Sequence, residues 1–403
     1  MSLEGELRRE HLENAMGYPL PGQELTFSES EYQIRLNAVQ RDLSRRQLAG
    51  GILFDPENIY WLTGFQTIGY FTFQCLLVLA DDKPILVSRQ VNGFLAAVTP
   101  TLSRFEGIED HRSPIDVLLG LVNGLFPGGE AIGIETGAWY MTVRDYLELK
   151  GGCASELVQW NDHIEPFRII KSEEQVSRMR KAARAAEAGL DAALAAVRVG
   201  ASENDLAAAM HSAAIGAGSE YLGHPPLVVS GERTALCFAT WKRRFLKKGD
   251  VVLLESAGCI DRYHAIVARS AVVGKANSKQ RDMSAVILEV LEQAISSIRP
   301  GVTSAEVDSK CREIAEKNEV SGRFAHRTGY AIGIGFPPNW SEGRFLALRP
   351  EDPTVLKPGM TFHCVPTLFD DEYGMCFSES VLVTDHGCEV LTQYPRKLFE
   401  ISG

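Results

Sequence analysis

The first regular pattern of apolar and polar positions along the chain begins near residue 28. Ser28 and Glu31 have the spacing of a capping box, in which a hydroxyl and an acid three residues later satisfy the free amides at a helix start. The helix that follows has one apolar stripe at helical spacing, made of Tyr32, Leu36, Val39 and Leu43. We expect this helix to end at the Gly50–Gly51 pair.

Short apolar runs after this helix predict a small α/β unit. Strands are expected at 52–54, 75–79 and 85–88, and the turn residues 81–84 join the last two into a hairpin. The intervening segment 61–74 is too aromatic and too often interrupted by glycine for a simple strand. Such aromatic groups either fill a domain interface or line a ligand pocket, and both interpretations stay open here.

A domain boundary is predicted near residues 166–171. An α/β pattern continues to about Pro166, an extended connection follows, and Ser172 and Gln175 then form a capping box for a long Ala-rich helix to Val199. We therefore divide the chain into an N-terminal arm (1–27), an N-terminal domain (28–168) and a C-terminal domain (169–403).

The C-terminal domain contains an internal repeat with an offset of about a hundred residues. The same pattern of a helix end, a glycine and a capped helix start occurs in residues 197–206 and 298–307. A second match, of a predicted strand and the turn before it, relates residues 248–255 to residues 357–365. Two copies of a helix–helix–hairpin unit imply a pseudo-twofold domain with its site on the sheet between the halves.

Composition excludes several classes of function. A net charge of −11 over 403 residues argues against binding of nucleic acid, and no stretch predicts a membrane span. The eight cysteines show no regular spacing, which is typical of reduced thiols in a cytoplasmic protein. The N-terminus has no apolar stretch of the kind that directs export.

One acid stands out in the second domain. Glu255 interrupts a run of Val and Leu, and an apparent hairpin returns through His264. A buried carboxylate without a partner costs several kcal/mol, so Glu255 is either kept for chemistry or paired with Arg262 or Arg269. His264 is either a proton shuttle or a hydrogen-bonded core residue.

With these features the chain resembles the pita-bread superfamily of creatinase, prolidase, aminopeptidase P and methionine aminopeptidase over residues 28–400. The resemblance implies a mixed α/β (α+β) fold: a small creatinase-like α/β domain followed by a pseudo-twofold pita-bread domain. It also implies a homodimer, in which the N-terminal domain of one protomer can help to close the active site of the other.

The resemblance also locates the metal-binding positions of the superfamily. Its metallopeptidases hold two divalent ions with two Asp, one His and two Glu, and these positions are occupied here by Glu255, Ile266, Tyr330, Val365 and Ser378. Glu379 is one place from the last of them and therefore on the opposite strand face. Hard divalent ions need several converging oxygen or imidazole ligands. We therefore expect no metal and no other cofactor.

Within the superfamily the chain resembles the metal-free branch, and ectoine hydrolases in particular. The matching motifs are Glu-x-Ala-Gly with Arg-Tyr-His at 255–264, Gly-Tyr-x-Ile-Gly-Ile with Pro-Pro-x-Trp at 329–340, Pro-Gly-Met-Thr-Phe-His at 358–363 and Ser-Glu-Ser at 378–380. The resemblance implies a metal-independent hydrolase for a C–N bond of a small cyclic amidine or a related amidino, guanidino or amide compound. The alternatives are a metal-dependent Xaa-Pro peptidase, a creatinase-type amidinohydrolase and an inactive binding protein.

In that reaction Glu255 would attack the electron-poor carbon or activate a water molecule, and His264 would protonate the leaving nitrogen. Glu379 either binds the amidinium N–H groups or pairs with Arg262 or Arg327. Arg89 is the candidate for the substrate carboxylate. The other candidate substrate-binding residues are Tyr330, His363, Trp340, Phe65 and Tyr70.

Overall fold

The computed structural model describes residue 22 and residues 25–402, so most of the predicted N-terminal arm lies outside the described residues. The chain divides into two compact units, Met1–Arg168 and Ile169–Gly403. Within the described range, no helix is both long enough and apolar enough to cross a membrane.

The N-terminal unit is built around one six-stranded mixed sheet in the order β4-β3-β2-β1-β5-β6. Its strands are β1 (Gly50–Leu53), β2 (Gln74–Leu79), β3 (Ile85–Arg89), β4 (Arg104–Ile108), β5 (Ala131–Ile134) and β6 (Glu156–Gln159). Its helices are α1 (Glu29–Arg45), α2 (Pro56–Thr63), α3 (Gly93–Ala97), α4 (Pro114–Leu125), α5 (Val143–Gly152) and α6 (Glu165–Arg168). The predicted hairpin is present, because β2 and β3 pair antiparallel.

The predicted start of α1 is confirmed and its predicted end is wrong. The Ser28 hydroxyl accepts a hydrogen bond from the Glu31 amide, but the helix already ends at Arg45. Gly50 and Gly51 instead begin β1. A Cβ atom at Gly51 would lie 2.3 Å from the ring of Trp160, so this glycine serves close packing rather than helix termination.

The aromatic segment between β1 and β2 forms α2 and a short 3-10 helix, Ile68–Phe71. Phe65 is buried within the unit, and Tyr70 is buried edge-on against Tyr140 at 5.5 Å between ring centroids. Phe71 is 74% exposed. Part of the segment therefore belongs to the core of its own unit.

The C-terminal unit contains the predicted duplication. Its helices are α7 (Glu173–Ala196), α8 (Glu203–Gly216), α9 (Ser278–Ser297) and α10 (Ser304–Lys317). Its strands are β7 (Leu227–Ser230), β8 (Val251–Ile260), β9 (Tyr263–Val273), β10 (Gly329–Ala331), β11 (Ala347–Leu348), β12 (Thr361–Cys364), β13 (Thr367–Phe369), β14 (Gly374–Cys376), β15 (Glu379–Thr384), β16 (Gly387–Val390) and β17 (Phe399–Ile401).

The two halves share one topology. In the first half β7 pairs with β8 and β8 with β9, and in the second β10 pairs with β12 and β12 with β15, all antiparallel. Each strand set follows a pair of helices whose second member begins at a capping box, at Ser202 in α8 and at Thr303 in α10. The predicted repeat corresponds to this arrangement.

Serine hydroxyls join the two half-sheets where β9 faces β15. The Ser380 hydroxyl accepts from the Ile266 amide and donates to its carbonyl, both at 2.8 Å. Two residues earlier, the Ser378 amide donates to the Ala268 carbonyl at 3.0 Å and the Ser378 hydroxyl accepts from the Ala268 amide at 2.7 Å. This seam places the middle of β9 beside the start of β15.

The β8–β9 hairpin turns at two residues in the left-handed region, Asp261 (φ 50) and Arg262 (φ 64), as a type I′ turn requires. Its register pairs Glu255 with Ala268 and Cys259 with His264. All eight cysteines are free thiols, and Cys237 is the exposed one.

Candidate active site

Glu255 lies in the middle of β8 and has a buried side chain that is only 6% exposed. Leu227 of β7 and Ala268 of β9 flank it in register. Among the described residues, none forms a hydrogen bond or an ion pair with its carboxylate. Burial raises the pKa of Glu255 to about 7, because the ionised form has lost its hydration.

The alternative that Glu255 is a structural partner of Arg262 or Arg269 is wrong. The nearest acid to Arg262 is Glu220, with 3.7 Å between Nη1 and Oε2. Arg269 donates to Glu379 at 2.6 Å. Both guanidinium groups therefore have other partners, and Glu255 has no counter-ion within the part of the chain that the structure describes.

Three side chains with titratable groups lie close to Glu255. Burial raises the pKa of Tyr330, of Cys376 and of Cys237, and in each case the Glu255 charge raises it further. Tyr330 comes from β10, Cys376 from β14 and Cys237 from the loop before β8. The charge of Glu255 therefore acts on side chains from both halves of the unit.

Tyr330 is one end of a buried chain of hydrogen bonds. Its hydroxyl accepts from Trp340 Nε1 at 3.2 Å and lies 2.8 Å from His363 Nδ1. The other ring nitrogen of His363 lies 2.6 Å from the Ser378 hydroxyl. Burial lowers the pKa of His363 to about 3, so its imidazole is neutral at pH 7. His363 thus connects the two positions where the superfamily resemblance places a His and a Glu ligand.

Aromatic rings continue this wall of the site beyond Tyr330. His224 packs on Trp340 with 4.6 Å between ring centroids, and Phe238 meets His224 edge-on at 6.4 Å. Burial lowers the pKa of His224, which keeps it neutral near pH 7. Phe238 is 69% exposed and has a positive φ of 61°, which orients a large aromatic group outward. His224 and Phe238 were not among the residues predicted from sequence.

Arg327 lies on the other side of Tyr330. Its guanidinium carbon is 4.8 Å from the centre of the Tyr330 ring, and its Nη1 donates to the Gly343 carbonyl at 2.8 Å. Among the described residues no acid lies within ion-pair distance of it. Burial lowers the pKa of Arg327, which shows that its charge is partly desolvated. An unpaired, half-buried guanidinium is suited to bind an anionic group.

His264 is a hydrogen-bonded core residue in the structure, and its role as a proton shuttle stays a prediction. It is fully buried, its Nε2 accepts from the Gly223 amide at 2.9 Å, and its Nδ1 lies 3.0 Å from the Arg262 carbonyl. His264 pairs in register with Cys259, which is four residues after Glu255 on β8. Four residues correspond to about 13 Å along a strand, so His264 lies well away from Glu255 in the strand direction. Both ring nitrogens already have backbone partners.

Glu379 has partners other than the two that were predicted. Its carboxylate accepts from Arg269 Nη2 at 2.6 Å and from Arg396 Nε at 3.0 Å, and Thr392 donates a further bond. Glu379 and Arg269 are both fully buried. The expected pairing with Arg262 or Arg327 is therefore wrong, and the binding of amidinium N–H groups by Glu379 stays a prediction.

Three further candidates belong to the N-terminal unit. Arg89 donates to Asp110 at 2.7 Å in an exposed ion pair. Phe65 and Tyr70 are both buried, and Tyr70 packs against Tyr140 of the same unit. Their proposed contacts with substrate stay predictions.

The side chains at the metal-ligand positions do not fit a two-metal centre. Ile266 and Val365 offer no donor atom, and Tyr330 and Ser378 are both bonded to His363. Glu255 is then the one carboxylate at these five positions. Hard divalent ions need more converging ligands than this.

A separate acid cluster in the N-terminal unit was missed by the sequence analysis. Asp55, Glu135 and Glu165 are buried within 4.8 Å of one another, the one group among the described residues with potential metal-ligand spacing. Burial, followed by the charges of Asp55 and Glu165, raises the pKa of Glu135 to about 8. Glu135 accepts from two backbone amides and from Asn58, which in turn accepts from Arg168. These bonds tie the end of β5 to α2 and α6.

Comparison with known proteins assigns the family. The model of metallopeptidase family M24 matches residues 177–385, and that of the creatinase/prolidase N-terminal domain matches residues 35–170. The chain belongs to metallopeptidase family M24. This M24 protein is thus a hydrolase with the predicted mixed α/β architecture, a creatinase-like domain followed by a pita-bread domain.

The relatives of this M24 protein include enzymes with different substrates. It is 31% identical over 394 residues to an uncharacterized hydrolase/peptidase, y4tM, of Sinorhizobium fredii, covering 93% of this chain and 98% of that one. It is 28% identical to the ectoine hydrolase of Halomonas elongata, with the same coverage. It is also 28% identical to the Xaa-Pro dipeptidase of Pyrococcus furiosus, covering 90% and 99%.

Solved structures show the same fold. The prolidase of Thermococcus sibiricus superposes with a TM-score of 0.83 at 22% identity, over 91% of this chain and 98% of that one. The prolidase of Pyrococcus horikoshii gives a TM-score of 0.80 at 22% identity, over 91% and 99%.

Proposed function

We propose that this protein is a metal-independent hydrolase that cleaves a C–N bond of a small cyclic amidine, with ectoine as the leading candidate. Related amidino, guanidino or amide compounds form the wider substrate class. The observation that carries the proposal is the buried Glu255 carboxylate, which has no partner among the described residues. A group that costs folding free energy in this way marks a functional site.

A cationic substrate suits this carboxylate. In the free protein burial holds the pKa of Glu255 at about 7, and an amidinium ion close to it would favour the ionised form. The ionised carboxylate then either attacks the amidine carbon or removes a proton from a water molecule that does so. Both routes use one carboxylate and no metal.

The rest of the site also suits a small cation with a carboxylate. Trp340 adds an aromatic ring beside His224, and the neutral imidazoles of His224 and His363 do not repel a cation. Arg327 lies beside Tyr330 without an acid partner among the described residues and would bind the substrate carboxylate. Ectoine, a cyclic amidine that carries a carboxylate, has both groups.

The relatives support two substrate classes, and the side chains favour one of them. Similarity to an ectoine hydrolase and to an Xaa-Pro dipeptidase is equal at 28% identity. A dipeptidase activity would require metal ions, and the side chains of Ile266 and Val365 have no donor atom to bind them. Hydrolysis of an amidine would require Glu255 alone as the reactive acid.

A substrate screen tests the proposal. Purified protein is assayed with ectoine, hydroxyectoine, creatine and Xaa-Pro dipeptides, in chelator and with added Mn²⁺ or Co²⁺, and its metal content is measured. We expect turnover of a cyclic amidine that chelator leaves unchanged. Metal-dependent cleavage of a dipeptide would overturn the proposal, and binding without turnover would indicate an inactive binding protein. Light scattering on the same sample tests the predicted homodimer.

Replacing Arg327 by Met is expected to raise KM for a carboxylate-bearing substrate by about 10- to 100-fold, the cost of lost charge-assisted hydrogen bonds. The effect on kcat should be small, because Arg327 would bind a group remote from the reacting carbon. Steady-state kinetics measure both constants.

The control for Arg327 is the parallel variant Arg89→Met, since Arg89 was the carboxylate ligand predicted from sequence and is already paired with Asp110. A second control is a substrate analogue whose carboxylate is converted to an amide, on which Arg327→Met should have no effect. A rise in KM for the Arg89 variant alone would assign the carboxylate to the N-terminal unit instead.

A further inference from the structure

Hydrogen-bond counting along the Trp340–Tyr330–His363–Ser378 chain restricts the directions of its bonds to two arrangements. Trp340 Nε1 can only donate, so the Tyr330 oxygen accepts from it. The Ala268 amide can only donate, so the Ser378 oxygen accepts from it. Between these two ends a neutral imidazole carries a single N–H group, which allows two arrangements.

In the first arrangement His363 Nε2–H donates to Ser378 and the Tyr330 hydroxyl donates to Nδ1. The hydroxyl hydrogen of Ser378 then has no acceptor, although Ser378 is fully buried and no other partner of its hydroxyl occurs among the described residues. A buried polar hydrogen left unpaired costs about 1–3 kcal/mol.

In the second arrangement Ser378 donates to Nε2 and Nδ1–H donates to Tyr330. The Ser378 hydroxyl and both imidazole nitrogens are then satisfied, and the unused hydrogen is that of the Tyr330 hydroxyl, whose oxygen already accepts from Trp340 and His363. Tyr330 is 8% exposed whereas Ser378 is fully buried, so an unpaired hydroxyl hydrogen costs less at Tyr330 than at Ser378. The second arrangement is therefore favoured, and it directs one hydrogen-bond donor into the site.

We propose that Tyr330 is a catalytic hydrogen-bond donor to the substrate nitrogen, and that His363 and Ser378 are positioning residues that hold its hydroxyl in the donating orientation. The inference rests on the proposed function for its substrate. Tyr330 and His363 were both predicted from sequence as substrate-binding residues, without these separate roles.

The chemistry of an amidine explains why a donor is useful there. In the substrate cation the ring nitrogens carry hydrogens and no available lone pair, so they do not accept a bond from Tyr330. When an oxygen of Glu255 or of water adds to the amidine carbon, the C=N π electrons become a lone pair on nitrogen. Tyr330 can donate to that lone pair, so the hydrogen bond exists in the transition state and not in the bound substrate. Such an interaction raises kcat without lowering KM.

Kinetics of three variants test this assignment with ectoine or whichever amidine the screen identifies. Tyr330→Phe should lower kcat by about 10²- to 10³-fold with KM unchanged or slightly lower. Ser378→Ala removes the donor that fixes the imidazole tautomer and should lower kcat by about tenfold. In the double variant the loss should equal that of Tyr330→Phe alone, since Ser378 acts only through Tyr330.

The matched control is Ser380→Ala. Ser380 is a buried serine at the same seam and lies opposite His363 in register, but its hydroxyl exchanges hydrogen bonds with Ile266 and, among the described residues, none with His363. We expect reduced stability and an unchanged kcat. Losses that multiply in the Tyr330 and Ser378 double variant, or an equal kcat loss in Ser380→Ala, would overturn the assignment.

Neutron diffraction from crystals of the unmodified protein tests the bond directions without any variant. One deuterium should be bonded to Nδ1 of His363, and a second should be bonded to Ser378 Oγ and point towards Nε2 of His363. Deuterium on Nε2 would overturn the inference even if the substrate screen succeeds. If the screen finds no turnover, the proposed function fails, while the neutron map still decides the orientation of Tyr330.

Discussion

Replacing Glu255 by Gln is expected to lower kcat by about a thousandfold, because an amide is neither a useful base nor a useful nucleophile. Gln has nearly the same size and fits the same position between Leu227 and Ala268. Substrate binding should weaken as well, since the amidinium ion loses its counter-charge. Single-turnover kinetics with ectoine, together with calorimetric binding, separate the two effects.

The same variant should be more stable than the natural protein at pH 8. A carboxyl whose pKa is raised by folding, here from 4.5 to about 7, stabilises the folded state below pH 4.5, and that contribution is lost as pH rises towards 7. Each unit of pKa difference corresponds to 1.36 kcal/mol, so above pH 7 the ionised Glu255 costs about 3 kcal/mol. Glu255→Gln removes this cost at pH 8, so the variant should have the larger free energy of unfolding there. At pH 5 its advantage in free energy of unfolding should fall below about 1 kcal/mol.

Urea denaturation at both pH values measures this difference, with Glu203→Gln as control. Glu203 is also buried, but it accepts hydrogen bonds from Ser230, Lys242 and Arg233. The control should therefore lose stability, opposite in sign to Glu255→Gln. A Glu255 variant with the same gain at both pH values, or with full activity, would show that this acid is not the unpartnered, reactive group.

Much of the fold could be predicted from short-range patterns. Helix starts depend on side chains within four residues of the backbone they cap, so Ser28 and Ser172 located the starts of α1 and α7 correctly. Gly51 misled the prediction, because a glycine that ends a helix and one that makes room for Trp160 look the same in sequence. The difference lies in a residue more than a hundred positions away.

The candidate site was predictable as a set of positions and only partly as a set of interactions. Strand alternation correctly separated the faces of Ser378 and Glu379, since it depends only on the backbone. It does not reveal that Arg269 and Arg396 meet Glu379, or that His363 bridges Tyr330 and Ser378. Those contacts join strands through tertiary packing, for which a single sequence carries no local signal.

Replacing Glu379 by Gln is expected to destabilise the protein by about 3–5 kcal/mol and to leave the chemistry nearly intact. Arg269 is fully buried, and besides Glu379 its guanidinium donates to carbonyls such as those of Tyr394 and Ser378. Those carbonyls would still accept hydrogen bonds from Arg269 in the variant. The positive charge of Arg269 would, however, have no negative charge as close to it as Glu379 is in the natural protein. Breaking such a pair therefore costs more than removing an exposed one.

Arg396→Met provides the matched comparison, because Arg396 reaches the same Glu379 oxygen as Arg269 but is 26% exposed. Its loss should cost about 1 kcal/mol or less, since solvent screens the exposed partner. Urea denaturation gives both values, and kcat is measured at a temperature where each variant stays folded. A kcat within about threefold of the natural protein identifies Glu379 as a structural acid, whereas a loss near the 10²-fold typical of an acid or base would restore the catalytic role predicted from sequence. If kcat is preserved, Glu255 and Glu379 differ in role because Glu255 has no counter-ion among the described residues and Glu379 has two.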